Sequence, residues 1–276
     1  VISAPSNKLV ATLDIAIEDV HFKSLWSSPF EIGAKLTTAN LADLFSMGAT
    51  PKYLLVGAAI SEVNNSEVIT ALAQGIRSVA DKFEVSVIGG DLSKSEKMSL
   101  SITALGEIAR DPITRSGASA GDLIYLSSLP GLSAAGLAIL ERGLDRPKYV
   151  VQAHLNPKLV APIKLMEVAS AMSDISDGLV SDARNIARAS KVDLNFDTNA
   201  FEGSPDFKDL GELATELGVD VYDWILSGGE DHFFIATVPE KYADKNLGIQ
   251  VGKVVAGSGL ITIDGVQTQR AGYQHF

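Results

Sequence analysis

Strand-like and helix-like segments alternate along both halves of this chain, and no other feature of the sequence limits the fold more. Apolar residues at period two predict strands, and apolar residues at helical spacing separate them. Interleaved elements are typical of the α/β or α+β class. We expect two lobes, and the turn-forming pair Asp111-Pro112 divides a domain of residues 1–111 from one of residues 112–276.

The first half is expected to contain a βαβαβ-like arrangement. A helix is predicted over Glu31–Met47, and a second helix begins with the capping-box spacing of Asn64 and Glu67. The predicted strands are Lys8–Ile17, Tyr53–Ile60, Val85–Ile88 and an alternating segment from Leu100 to Ile108.

The second half repeats this mixture. Asn156-Pro157 has the pattern of a helix start, because proline is favoured at the first helical position, and Asp264-Gly265 predicts a hairpin turn. The other predicted elements are helices at Ser133–Arg142 and Leu179–Ser190 and strands at Leu123–Ser127, Val192–Phe196, Phe233–Val238 and Ile249–Val255.

Composition excludes several classes of protein. The 276 residues include no cysteine, which rules out disulfides, thiolate nucleophiles and zinc–thiolate sites. A formal net charge of −11 opposes binding to nucleic acid or to an anionic membrane. The longest apolar stretch, Tyr53–Ile60, is far shorter than the roughly 18 residues that span a bilayer. We expect a soluble, cytoplasmic protein that binds neither nucleic acid nor membrane.

Carboxylates recur next to glycines or small residues at the predicted ends of strands and helices. Mg²⁺ usually takes only one or two protein carboxylates together with phosphate oxygens, so scattered aspartates around a nucleotide fit its chemistry. The common nucleotide-binding loops are absent from the sequence, so ATP would have to be held in another way. The acids concerned are Asp14, Asp19, Asp43, Asp91, Asp174, Asp177, Glu230 and Asp231. His21 follows Asp19 by two residues, and Asn40 precedes Asp43 by one helical turn.

Each of these residues also has a structural interpretation. Ser176 and Asp177 precede a predicted helix and could cap it. The Gly90-Asp91 and Gly229-Glu230 pairs could form turns, and His21 alone is more often structural than a ligand. Asp43 is harder to explain in this way, since a carboxylate among apolar helix neighbours needs a partner.

Taken in order, the same segments resemble the thiamine-monophosphate kinase family of the aminoimidazole-ribonucleotide-synthetase-like superfamily. Each segment alone has low specificity, and their order from near residue 10 to the last residue carries the resemblance. The segments are Thr12-Leu13-Asp14 with His21-Phe22, Asn40 to Asp43 leading to Met47-Gly48-Ala49, Ile88-Gly89-Gly90-Asp91, Thr114-Arg115-Ser116-Gly117 with Gly121-Asp122, Ser133 to Leu137, Asp174 to Leu179, Leu226 to Asp231, and Gly272 to Phe276.

The resemblance implies a fold of two lobes with mixed sheets flanked by helices. Residues 1–111 would form the dimerisation and metal/ATP-binding domain of a homodimer, and residues 112–276 would complete a cleft for ATP and substrate. The implied reaction is Mg²⁺-dependent transfer of the γ-phosphate of ATP to thiamine monophosphate, which gives thiamine diphosphate. Several Mg²⁺ ions would bind, with ATP as co-substrate.

The resemblance also implies roles for individual residues. The catalytic residues would be Asp91, Arg115 and Asp177. The other assignments are Gly90, Asp91, Arg115 and Ser176 for ATP; His21, Glu230 and Tyr273 for thiamine monophosphate; and Thr12, Leu13, Asp14, Asp43, Asp91, Asp174 and Asp177 for magnesium, with Leu13 offering only its backbone oxygen.

Three departures from the family pattern bear on these roles. The family has a glycine-aspartate-aspartate block before the first strand, and we expect a preceding segment to supply it. Thr12-Leu13 replaces a serine-threonine pair, and Leu132 stands where an aspartate is expected. Two alternatives stay open: another ATP-using enzyme of the superfamily, or a non-catalytic nucleotide-binding relative.

Overall fold

The structure, a computed structural model, describes residues 8–61 and 66–273. The chain divides into two compact units. Unit 1 runs to Pro112 and also includes Leu155–Lys158, and unit 2 comprises Ile113–His154 and the residues from Leu159 onward. In the part of the chain that the structure describes, no helix combines the length and apolar character needed to cross a membrane.

Unit 1 is a mixed sheet with two helices. Strand order is β1-β4-β2-β3, and β2 pairs with β3 in parallel, whereas the other neighbours are antiparallel. The elements are β1 (Lys8–Ile17), α1 (Pro29–Ser46), β2 (Thr50–Ile60), α2 (Ser66–Ala80), β3 (Ser86–Lys94) and β4 (Ser99–Ile108).

Helices pack against one face of the unit 1 sheet, and the other face exposes apolar side chains. The helices pack on the face that buries Val10 and Ala16 of β1 and Ile102 of β4. On β1 the alternate positions, such as Leu13, expose their side chains, and Leu55 of β2 is also exposed. Because successive strand residues point to opposite faces, this sheet has one covered face and one open apolar face.

Helix α1 begins as its sequence dictates. Ser28 is the N-cap, Pro29 occupies the first turn, and Glu31 completes a reciprocal capping box with Ser28. This arrangement satisfies backbone N–H groups that have no partner inside the helix. The helix therefore starts at a defined residue, which fixes where Asp43 lies along it.

Unit 2 is built on a larger mixed sheet, whose strand order is β11-β10-β7-β9-β5-β8-β6. Its strands are β5 (Leu123–Leu126), β6 (Ala171–Asp174), β7 (Val192–Phe196), β8 (Phe234–Val238), β9 (Ile249–Ala256), β10 (Ile261–Ile263) and β11 (Val266–Gln267). Its helices are α3 (Leu132–Glu141), α4 (Lys148–Leu155), α5 (Ile163–Val168), α6 (Leu179–Ser190), α7 (Thr198–Glu202), α8 (Pro205–Leu217) and α9 (Val221–Ser227).

Three adjacent strands at one side of this sheet, including the edge strand β6, are fully buried. Every residue of β5, β6 and β8 is buried. Strands buried on both faces tend toward near-continuous apolar runs, and four of the five residues of β8 are apolar. Asp174, the last residue of β6, therefore lies in the buried part of unit 2.

The structure confirms most of the predicted elements and corrects two. Asn156-Pro157 does not start a helix: α4 ends at Leu155, because the residue before a proline is disfavoured in the helical conformation. Strand β3 does not stop at Ile88 but continues to Lys94, so Asp91 lies within a strand and not in a turn.

Two predicted features at the ends of elements have different outcomes. The hairpin turn is confirmed, since Asp264 and Gly265 both have positive φ angles (51° and 78°) between β10 and β11. The predicted cap at Asn64 falls outside the described residues.

Candidate active site

Thr12, Asp14 and Asp43 share the covered side of the unit 1 sheet. Thr12 and Asp14 are two residues apart on β1 and therefore point to the same face. The Thr12 hydroxyl donates a hydrogen bond of 2.5 Å to the Asp43 carboxylate of α1. This contact supplies the partner that a half-buried helix aspartate requires. Thr12 and Asp43 are thus brought together as oxygen donors.

Leu13 and Asp91 are placed differently. The Leu13 side chain is 56% exposed on the open face, and Asp91 lies on the exposed edge strand β3, where it accepts a 3.0 Å hydrogen bond from Ser93. Asp91 is paired with Gly57 on β2, and the same row across the sheet ends at Ile15 on β1. Three strand spacings amount to roughly 14 Å, so unit 1 by itself does not bring Asp91 to Asp14.

Gly90 is required by packing within the sheet. A Cβ atom at this position would lie 2.0 Å from the carbonyl oxygen of Val56 on the neighbouring strand. Any other residue would force the strands apart. This close approach accounts for the glycine before Asp91 without reference to a phosphate.

His21 follows β1 in a tight turn. The ring Nδ1 of His21 accepts a hydrogen bond from the backbone N–H of Ile17 at 3.1 Å. The backbone N–H of His21 donates to the carbonyl oxygen of Ile17. Nδ1 therefore helps to hold the turn that follows β1. Asp19, in the same turn, forms an ion pair with Lys97 at the surface.

Three segments of unit 2 converge around the turn that follows β6. Glu230 N–H donates to the Ser176 carbonyl at 2.8 Å, and Tyr273 N–H donates to the Asp177 carbonyl at 2.9 Å. Gly229 packs so closely that a Cβ atom there would lie 2.3 Å from the Ser176 oxygen. The structure therefore brings together Ser176 and Asp177, Glu230, and Tyr273, which belong to three separate sequence motifs.

The turn is held from below by Asp182, a residue that sequence reasoning missed. Asp182 is on α6 and only 1% exposed. Its Oδ2 atom accepts the backbone N–H groups of Ser176 and Asp177, each at 3.1 Å. Burial, and then the negative charges of Asp174 and Asp177, raise the pKa of Asp182 to about 8.

The capping interpretation of Ser176 and Asp177 is wrong. The N-cap of α6 is Gly178, and no side chain caps it. Instead, the side chain of Asp182 reaches back from within the helix to the two backbone groups. Neither Ser176 nor Asp177 is therefore the N-cap residue of α6.

Asp174 ends β6 and is 3% exposed. Nδ1 of the buried His232 lies 3.5 Å from its carboxylate. Arg115 approaches the same strand, since its Nε donates to the Ser173 hydroxyl at 3.3 Å. A carboxylate, an imidazole and a guanidinium thus surround the end of β6.

The segment from Glu230 to His232 sends its side chains to three different elements. Asp231 is buried and accepts the backbone N–H groups of Gly131 (2.7 Å) and Ser133 (2.9 Å) at the start of α3. Burial raises the pKa of Asp231 to about 6, although these two N–H groups act in the opposite direction. The turn around Leu132, where the family pattern has an aspartate, is thereby held by a carboxylate from a distant segment.

Glu230 points toward α4. One of its oxygens lies 3.7 Å from Nδ1 of the buried His154, which is also 3.2 Å from the Ser133 hydroxyl. Glu230 and His232 both have positive φ angles, 63° and 53°. Non-glycine residues adopt this conformation only where their surroundings enforce it, so the contacts of these side chains fix an unfavourable backbone in place.

The donor groups fit magnesium, although they do not form a ready-made cage. Among residues 8–61 and 66–273, no three acidic or histidine side chains are grouped closely enough to hold a metal ion. Carboxylate and hydroxyl oxygens are nevertheless the hard donors that Mg²⁺ prefers, and it commonly takes only one or two carboxylates plus substrate phosphate. Asp174 and Asp177, three residues apart in the sequence of unit 2, offer donors of this kind.

Sequence signals existed for some of the missed residues. Asp182 lies on the apolar stripe of α6 with Leu179, Ala183 and Ile186, which is the same signal that drew attention to Asp43. Asp231 was noted only as the neighbour of Glu230. His154 and His232 are single histidines in unremarkable surroundings, and no sequence pattern indicates their partners.

Comparison with known proteins decides the family. The AIR synthase related protein N-terminal domain matches residues 1–108, and the C-terminal domain of the same family matches residues 119–263. A thiamine-monophosphate kinase of Mycobacterium tuberculosis is 33% identical over 284 residues, an alignment that covers 100% of this chain and 83% of that protein. The chain belongs to the thiamine-monophosphate kinase family.

Solved structures of thiamine-monophosphate kinases share the fold. A structure described as AaThiL complexed with AMPPCP and TMP has a TM-score of 0.90 at 30% identity and covers 100% of this chain and 89% of that chain. The thiamine-monophosphate kinase of Aquifex aeolicus has a TM-score of 0.88 at 30% identity, with 96% and 90% covered. These likenesses confirm the α/β fold of the aminoimidazole-ribonucleotide-synthetase-like superfamily that the ordered motifs predicted.

Proposed function

We propose that this chain is a kinase that transfers the γ-phosphate of ATP to thiamine monophosphate, with thiamine diphosphate and ADP as products. The observation that carries the proposal is the convergence of Ser176, Asp177, Glu230 and Tyr273 around one turn in a member of this family. The AaThiL structure, which was determined with AMPPCP and TMP, supports the pairing of a nucleotide with a thiamine phosphate.

The reaction is a direct displacement. A terminal phosphate oxygen of thiamine monophosphate attacks the γ-phosphorus of ATP, a new P–O bond forms, and the bond from the γ-phosphorus to the β,γ-bridging oxygen breaks to release ADP. A phosphate oxygen is already ionised near neutral pH, so no strong general base is needed. Catalysis then rests on positioning and on stabilising charge.

The residues of unit 2 suit these tasks. Arg115 would place its positive charge against the phosphates, since its Nε is anchored at Ser173. Ser176 would contact ATP through a turn that is fixed by hydrogen bonds. Glu230 would bind the cationic or amine-bearing end of thiamine, and the exposed ring of Tyr273 would stack on one of its rings.

We propose Mg²⁺ as the metal, held by Asp174 and Asp177 and, as the family resemblance implies, by Asp91, Asp43 and Asp14. The other implied ligands in unit 1 are the hydroxyl of Thr12 and the backbone oxygen of Leu13. When bound, Mg²⁺ neutralises phosphate charge and orients the transferring group. In the same scheme Gly90 contacts ATP through its backbone and His21 contacts thiamine monophosphate.

The open face of unit 1 supports a homodimer. Leu13, Ile15 and Leu55 expose 56%, 48% and 40% of their surfaces on regular strands. An apolar sheet face of this kind is costly to leave in water. A second copy would cover it with an identical surface, as two-fold interfaces do. A cytoplasmic location, where ATP is abundant, belongs to the same proposal.

Chromatographic detection of thiamine diphosphate tests the activity. Purified protein is incubated with thiamine monophosphate, ATP and Mg²⁺, and parallel samples contain EDTA or replace thiamine monophosphate with thiamine. We expect product only in the complete mixture. Metal-dependent ATP binding with no product would instead identify a non-catalytic relative of the family.

A further inference from the structure

Asp182 is a buried carboxylate whose side chain faces the back of the proposed active site. It lies one turn into α6, with Leu179, Ala183 and Ile186 on the same side of the helix. A carboxylate on an apolar helix face costs free energy unless its oxygens find donors. The donors here are two consecutive backbone N–H groups, those of Ser176 and Asp177.

These two N–H groups belong to the residues that the proposed function places in contact with ATP and its metal. One oxygen, Oδ2, accepts both hydrogen bonds at 3.1 Å. The bonds fix the orientation of two successive peptide groups and hence the directions in which the Ser176 and Asp177 side chains leave the backbone. The capping group that usually orders such a turn is missing, since Gly178 offers no side chain.

We propose that Asp182 is a positioning residue for the nucleotide: it holds the Ser176-Asp177 turn in the conformation that binds the metal–ATP complex. Asp182 is itself buried behind the turn, so we place it outside the contact with the nucleotide. The inference rests on the proposed function, because it assumes that Ser176 and Asp177 meet ATP and its metal. The inference is that Asp182, which is not itself one of the contacting residues, determines how Ser176 and Asp177 meet ATP and its metal.

The substitutions follow from the hydrogen-bond pattern. Asp182→Asn keeps one oxygen that can accept both N–H groups, whereas Asp182→Ala removes the acceptor. Asp182→Ser leaves a hydroxyl too short to reach both groups and serves as a second variant should alanine prevent folding. Asp193 provides a matched control, since its Oδ1 also accepts backbone N–H groups, those of residues 258–260, at another place in unit 2.

The first measurement is the affinity for ATP in the presence of Mg²⁺, by calorimetry on the folded full chain. We expect Asp182→Ala and Asp182→Ser to weaken ATP binding about 10-fold or more, equivalent to about 1.4 kcal/mol. Asp182→Asn should stay within about 3-fold of wild type, as should Asp193→Ala. A purely structural role would lower the unfolding temperature of the alanine variant and leave the affinity of its folded fraction unchanged.

The second measurement is amide hydrogen exchange at Ser176 and Asp177 without ligand. Faster exchange in Asp182→Ala than in Asp193→Ala is expected. Wild-type ATP affinity in a folded alanine or serine variant would overturn the inference, and so would unchanged exchange. If the wild-type protein forms no thiamine diphosphate, the proposed function fails, which is a separate result from a wild-type enzyme that works and tolerates Asp182→Ala.

Discussion

In unit 2 the strands β5, β6 and β8 are buried along their whole length, whereas in unit 1 strand β3 is exposed along its whole length. The acidic residues of the two units differ in burial in the same way as these strands. Asp182 and Asp231 each accept two backbone N–H groups in the interior of unit 2, whereas Asp91 lies on an exposed strand with a serine hydroxyl as donor.

The contrast separates two uses of a carboxylate. A buried acid that satisfies backbone donors contributes to stability, and its loss leaves those donors unpaired. An exposed acid on a strand contributes little to stability, so its purpose must be sought outside the fold. Variants of unit 1 can test whether its exposed acid acts on a ligand and whether its exposed apolar face binds a second copy of the chain.

The largest effect is expected at Asp91. Asp91→Asn should lower turnover roughly 100-fold or more, because it removes a charge proposed to act on the phosphates through a metal, while the unfolding temperature stays within about one degree of wild type. The rate of thiamine diphosphate formation and a thermal melt measure the two quantities. Asp81→Asn, at another exposed acid of unit 1, is the control. Near-normal turnover in Asp91→Asn would remove Asp91 from the metal site.

A second variant tests the open face of unit 1. Leu55→Glu places a charge in the middle of the exposed apolar face and should convert a dimer to a monomer, with a dissociation constant raised at least about 100-fold. Leu25→Glu is the matched control, since Leu25 is 88% exposed and lies outside the sheet. Sedimentation velocity over a range of concentrations gives the association state. A wild-type protein that is monomeric at micromolar concentration would contradict the dimer.

Local patterns in the sequence predicted the parts of the molecule that depend on local interactions. The amphipathic helix α6 and the alternating strand β4 were predicted because their periodicity is strong. The error at Asn156-Pro157 has a physical cause. An asparagine followed by a proline occurs just after the end of a helix as well as at the start of one. Helix α4 is also too short to show a clear periodicity of apolar residues. Pattern alone does not separate the two cases.

The candidate site shows the same limit. The acids beside glycines stand out in the sequence, whereas the partners that hold them do not. Asp231 reaches Gly131 and Ser133 across 100 and 98 residues of chain, and a pairing at that range leaves no periodic signal. Asp182 was missed although its place on an apolar stripe was visible, because its acceptor role depends on the backbone conformation of the preceding turn.

A smaller effect is expected at His154, which connects Glu230 to the start of α3. His154→Gln should raise the KM for thiamine monophosphate about 5- to 10-fold and leave the KM for ATP and the kcat within about 2-fold, because Glu230 loses one of its buried neighbours. Steady-state kinetics with each substrate varied in turn measure this separation. Tyr149→Ala, at an exposed position of the same helix, is the control. Equal changes in both KM values would indicate a general disturbance of unit 2.

The smallest effect is expected at Asp193, which holds a turn away from the proposed site. Burial by itself would raise the pKa of Asp193. The backbone N–H groups of residues 258–260 outweigh burial and lower this pKa below its ordinary value of 3.8. A lowered folded-state pKa means that the stabilising contribution is present above the unfolded value of 3.8 and is lost as the pH falls through the folded value. Asp193→Ala should therefore lower the unfolding temperature by a few degrees at pH 7, with kcat unchanged.

The difference between Asp193→Ala and wild type should shrink as the pH falls below about 3.8, because the wild-type carboxylate then becomes protonated and loses its advantage. Thermal melts from pH 7 down to pH 3 measure the difference. A gap of constant size across this range would show that the aspartate acts through packing rather than through its charge. A fall in kcat would instead extend the influence of the 258–260 turn to catalysis and weaken the separation between structural and functional acids in unit 2.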